Sequence, residues 1–151
     1  MKLRATVSGL LTSACALLWA TAAVASPSGV VISQVYGGGG NTGATHTHDF
    51  VELYNASAAP VSLAGWSIQY ASATGTGNLG ANAGQLTELT GTLAPGQYLL
   101  VQQAGGAVGV PLPTADIVDA TPIAMAAGAG KVALAYWIDQ PASGTGVEPA
   151  L

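Results

Sequence analysis

The sequence predicts an all-β protein, a sandwich or barrel of short strands behind an N-terminal export signal. Three observations predict it. Asp49-Phe50-Val51-Glu52-Leu53-Tyr54-Asn55 alternates as a half-buried strand does: Val51 and Leu53 point one way, and Phe50, Glu52 and Tyr54 point the other. Several further short apolar segments are separated by Gly- and Pro-containing turns. No window outside the signal carries a helical stripe. A sheet with one apolar side needs a facing layer, so two sheets must close on each other.

The chain has 151 residues. Lys2 and Arg4 precede an apolar run through Trp19, and Ala23-Val24-Ala25 supplies the small residues of a cleavage site. Residues 1–25 read as a signal peptide cut after Ala25. Polar interruptions at Ser8, Gly9, Thr12 and Ser13 and the short run argue against a membrane anchor, so no span is expected after cleavage. Thr12-Ser13-Ala14-Cys15 is an alternative, a lipoprotein box with Cys15 lipidated. Thr12 stands where Leu is usual, and the apolar run continues past Cys15. Export places the protein in the periplasm or outside the cell.

Removing residues 1–25 from 151 leaves 126, enough for one core. The single Cys departs with the signal, which excludes a disulfide and a cysteine metal site in the mature domain. Lys131 is then one cation against seven acids, a net charge near −6. Phosphate contacts need Lys and Arg, so no direct nucleic-acid binding is expected. Charged residues are 7% of the chain against a usual quarter, so solubility rests on uncharged polar side chains.

Val30–Tyr36 reads as the first strand, rich in β-branched residues and opened by Ser26-Pro27-Ser28-Gly29. Gly37–Gly40 and Asn41-Thr42-Gly43 read as a flexible loop, and His46-Thr47-His48 leads into the central strand. Ala56–Pro60 is a turn, Val61–Leu63 a short strand, Ala64-Gly65 a tight turn. Trp66–Tyr70 is a strand with Trp66, Ile68 and Tyr70 on one face. Residues 71–84 have no periodicity and read as a long loop. Leu86–Leu89 is a brief strand. Leu93-Ala94-Pro95-Gly96 suits a type II turn. Gln97–Gln102 is an apolar, central strand. Ile117–Asp119 and Ile123–Met125 are weaker candidates, and Lys131–Tyr136 is the last clear strand. The domain is expected over residues 26–140, with a loose tail at 141–151.

The ordered set Val31–Asn41, Asp49–Asn55, Leu63-Ala64-Gly65-Trp66, Leu93–Val101 and Gly130–Leu134 resembles the lamin-tail domain, in the form carried by secreted bacterial proteins. The resemblance covers roughly residues 30–136. It implies an immunoglobulin-like antiparallel β-sandwich and a non-catalytic interaction module. In bacteria such modules often accompany secreted nucleases, phosphatases or other hydrolases. No hydrolase domain follows here, and residues 137–151 lack the Asp-x-Val-Gly-Tyr-like strand of the familiar version. A truncated or altered end is the expectation, which would leave a sheet edge unpaired.

His46, His48, Asp49 and Glu52 form the single cluster of ligand-type side chains. His46 and His48 on one strand face would suit zinc or copper, but the loop offers no fixed third ligand. Neither a metal nor another cofactor is expected. Gly75-Thr76-Gly77-Asn78-Leu79-Gly80 spells a dinucleotide fingerprint without the helix it requires. Gly128-Ala129-Gly130-Lys131 lacks the hydroxyl and leading glycine of a phosphate loop. No G-x-S-x-G occurs, and no catalytic residue is assigned. Asn55-Ala56-Ser57 is a glycosylation sequon at a turn. Trp66, Tyr54, Tyr70 and Tyr98 read as core or core-edge anchors rather than a sugar platform, with Trp137 the better exposed aromatic.

Three functions follow as expectations. The first is an exported non-catalytic module binding a protein or cell-surface component. The second is the N-terminal accessory domain of a secreted hydrolase. The third is a metal-binding module through His46 and His48.

Overall fold

The computed structural model describes residues 29–136. The expected signal peptide with Cys15, Trp137 and the expected tail at 141–151 lie outside them. The strands are β1 (Val30–Tyr36), β2 (His48–Asn55), β3 (Val61–Ser62), β4 (Trp66–Ser72), β5 (Leu86–Glu88), β6 (Thr92–Leu93), β7 (Tyr98–Gly105), β8 (Ile117–Val118) and β9 (Gly130–Tyr136). One four-stranded sheet runs β1-β2-β7-β8 and a three-stranded sheet runs β5-β4-β9. β3 and β6 form a two-stranded ribbon. The sheets close on one core in the expected immunoglobulin-like sandwich.

The alternation in β2 sets that core. Val51 and Leu53 are fully buried, and their register partners Val101 and Leu99 on β7 join them. Trp66, Ile68 and Tyr70 face them from β4, while Leu63 and Leu93 close one end and Ile123 and Met125 belong to the same cluster. β1 joins this pattern through a bulge. Ile32 pairs with Leu53, but the next pair is Gln34 with Glu52, so Ser33 is an extra residue. The sequence carries its trace as two consecutive polar residues. Without the bulge Gln34 would turn toward the core; with it, Val35 takes that side opposite Val51.

Several local expectations change. Gly37–Gly40 is a packed segment rather than a flexible loop. A Cβ on Gly39 would overlap the backbone of His48 and Asp49, and one on Gly40 would overlap Gly106. Backbone passes so close here that side chains do not fit. β4 runs on to Ser72, and Ala83–Gln85, at the end of the loop expected over 71–84, form a 3-10 turn. β6 departs from the sequence pattern, which places Leu93 in the turn. The turn itself is as expected: Gly96 has φ +69° and Gln97 N–H donates to Ala94 O at 3.1 Å.

β8 is a strand as expected, yet pairs parallel to β7. Ile123–Met125 is not a strand, although Ile123 and Met125 are buried. Side chains substitute for its ladder: Ile123 N–H donates to Gln103 Oε1 at 2.7 Å and Met125 N–H to Asp49 Oδ2 at 2.7 Å.

Candidate interaction surface

The two sheets differ in what covers their outer sides. Every residue from Trp66 to Ala71 on β4 is buried, including Ser67 and Gln69 on the side away from the core. The 72–85 connection folds over that side. Gly80 N–H donates to Tyr70 O at 3.2 Å, and a Cβ on Gly80 would lie 3.0 Å from Gln69 Cγ. Lys131 Nζ donates to Gly75 O at 2.8 Å and ties the same connection to β9.

Among the described residues the outer side of the four-stranded sheet is covered at one end alone, where Phe50 is buried beneath Tyr36 and His46. Its register gives three rows. Val31, Tyr54 and Tyr98 form the first, Gln34, Glu52 and Leu100 the second, and Tyr36, Phe50, Gln102 and Val118 the third. Tyr54 and Tyr98 are neighbours, with ring centroids 4.6 Å apart and planes 35° apart. Tyr98 is 55% exposed and Val118 64%. Tyr54 and Tyr98 are therefore not core anchors. The period-2 alternation places them opposite Leu53 and Leu99, whereas Trp66 and Tyr70 are core residues as expected. Tyr54's direction was legible from the strand pattern; Tyr98's follows from its pairing to Tyr54, which the sequence does not state.

The ligand-type side chains separate to different partners. His46 lies ahead of β2, bridged to Val110. Its ring packs edge-on against Tyr36 at 5.2 Å and Phe50 at 5.8 Å, which seals Phe50 at the end of the third row. Its Nδ1 is buried without a partner. His48 Nδ1 lies 2.9 Å from Thr47 Oγ1. Glu52 Oε1 accepts Ser33 Oγ–H at 2.6 Å, so the bulge fixes this carboxylate on the open face. Among the described residues no group of three or more His, Cys, Asp or Glu is placed to hold a metal ion.

Asp49 is a structural node. Its side chain is 3% exposed; Oδ1 accepts Gly39 N–H at 2.6 Å and Oδ2 accepts Met125 N–H. Burial pushes its pKa above the ordinary 3.8, and the N–H groups of Gly39, Met125 and Gly38 and the nearby His48 pull it back only in part. A carboxylate so occupied is committed to holding the glycine segment against the 123–127 segment.

Asn55 is also committed. It is fully buried; Nδ2 donates to Ala59 O and Leu93 O, each at 2.9 Å, while Oδ1 accepts Ser57 N–H at 2.9 Å and Ser57 Oγ–H at 2.7 Å. The sequon is a turn staple whose amide is inaccessible in the folded domain.

No helix among the described residues is long and apolar enough to cross a membrane. A comparison with curated proteins gives no match. The family model described as Lamin Tail Domain matches residues 23–144. The chain belongs to the lamin-tail domain family, an immunoglobulin-like, non-enzymatic fold family, and that membership supports an interaction module.

Proposed function

We propose that the protein is an exported interaction module that docks a protein or cell-surface component through the open face of the four-stranded sheet. The observation that carries this reading is the contrast between the two sheets. One outer side is covered by the chain's own 72–85 connection; the other presents Tyr98 and Val118 to solvent. Exposed apolar side chains grouped on one face mark contact sites more often than scattered ones do. Export rests on the signal pattern of residues 1–25.

The test has two parts. In fractionated cells the chain should lie outside the cytoplasm with Ser26 as its N-terminus; a chain confined to the cytoplasm with Met1 intact ends the export reading. Fluorescently labelled purified chain should bind source cells, and Tyr98→Ala should reduce that binding. Equal binding by the variant rules out this face.

A further inference from the structure

We infer that the occupant of the Tyr54–Tyr98 face is an uncharged polysaccharide chain, stacked on Tyr98 and hydrogen-bonded by Gln34, Glu52 and Gln102. This rests on the docking-face reading above and names its partner. A pyranose ring has an apolar C–H side and a rim of hydroxyls. It needs an aromatic surface with hydrogen-bonding groups at that surface's edge. Tyr98 supplies the first: more than half of it is open to solvent, and Tyr54, whose ring lies 4.6 Å away at 35°, backs its inner side. The second comes from the neighbouring rows. Residues two apart on a strand are about 7 Å apart, and strands about 4.8 Å apart, so Glu52 and Gln34 lie one sugar's reach from the rings. Glu52 is already oriented by Ser33 Oγ at 2.6 Å and retains acceptor capacity for a hydroxyl.

Charge and area exclude the other occupants. Lys131 is the one Lys or Arg among residues 29–136, and it is bonded to Gly75 O at the other sheet. A phosphate, sulfate or uronate polymer would meet the Glu52 carboxylate and no Lys or Arg on this face. Even counted as four full strands by three rows, this face gives at most about 300–400 Å², about half of what each partner contributes to a standard protein interface. That is too little for a stable globular partner or a second copy, which would also set Glu52 against Glu52. It suits a thin linear chain.

Affinity electrophoresis tests this directly, with the purified chain run in native gels containing soluble β-glucan, mannan or xylan. At least one of these should retard the wild type. Tyr98→Ala should weaken the retarded complex by about tenfold, the upper range of an aromatic contact. Tyr98→Phe should stay within about threefold, since the ring remains. Near-UV circular dichroism checks that both variants fold. If no neutral polysaccharide retards the chain while cell binding still depends on Tyr98, the glycan is overturned and the docking face stands. Retardation by anionic polymers alone, or loss of cell binding after protease shaving of the cells, also overturns it. If Tyr98→Ala changes neither assay, both readings fall.

Discussion

Asp49 Oδ2 accepts the backbone N–H of Met125 at 2.7 Å, across 76 positions of sequence. The same carboxyl takes Gly39 N–H through Oδ1. One side chain therefore joins the β1–β2 connection to a segment that has no strand partner of its own. Replacing it with Ala leaves two buried N–H groups unpaired, at about 1–3 kcal/mol each. Asp49→Ala should lose about 2–6 kcal/mol of unfolding free energy in urea titration, and an unchanged midpoint would remove Asp49 from the fold's supports.

The pH dependence of that node has a definite sign. Burial holds the Asp49 carboxyl above 3.8 in the folded state. The folded chain then takes up this proton more readily than the unfolded chain. Its contribution is full below pH 3.8 and declines as pH rises through the raised folded value. The stability difference between wild type and Asp49→Asn should narrow from pH 3 toward pH 7. A difference that widens would mean that the Gly39 and Met125 N–H groups outweigh burial.

The glycines divide by what surrounds them. A Cβ at Gly39 would overlap the His48–Asp49 backbone, while one at Gly77 meets nothing within 4 Å. Gly39→Ala should destabilise by about 3 kcal/mol or more, as overpacking against backbone cannot relax through a rotamer change. Gly77→Ala should fall within about 1 kcal/mol of wild type, on the stabilising side, because it restricts the unfolded chain. Thermal melts of the two variants check both. Equal effects would mean that Gly37–Gly40 is as open as it looks in the sequence.

This pair also shows what the sequence could convey. Both stretches read as Gly-rich and structureless. Alternation in Asp49–Asn55 and Trp66–Tyr70 predicts the core faces because side-chain direction is a local property. Gly39 lying on His48, Asp49 reaching Met125, and β8 running parallel to β7 depend on contacts between distant segments. Nothing within a seven-residue window encodes them. Tyr98 lies between the two cases: its strand was legible, but three aliphatic neighbours in Leu99-Leu100-Val101 obscured which face it takes. The bulge at Ser33 breaks the alternation that would otherwise have placed Gln34 and Val35.

Asn55 makes a prediction about both stability and modification. Its amide satisfies four groups around the Ala56–Pro60 turn. Asn55→Ala should cost about 2–4 kcal/mol, and Asn55→Asp should cost more at neutral pH, where carboxylate oxygens would face the carbonyls of Ala59 and Leu93. Acidification should recover part of the Asp variant's loss. Secretion through a glycosylating host should give no glycan mass on the folded chain, and a glycan at Asn55 would contradict its buried position.

The bulge offers a less usual test. Deleting one residue from a strand reverses every later side chain and is ordinarily ruinous. In β1 the pairs on either side of Ser33 are Ile32 with Leu53 and Gln34 with Glu52, consecutive on β2. Removing Ser33 would join them into a regular ladder, with Val35 still opposite Val51 and Tyr36 still opposite Phe50. The losses are the Ser33 Oγ bonds to Glu52 O and Oε1 and the local twist. Ser33 deletion should retain the fold and lower stability by about 1–2 kcal/mol, the scale of those hydrogen bonds. Deletion of Val31 lies outside the bulge and shifts Val30 out of its core position, so it should unfold the domain. Circular dichroism melts of the two deletions decide it, and comparable unfolding by both would place β1 in a different register.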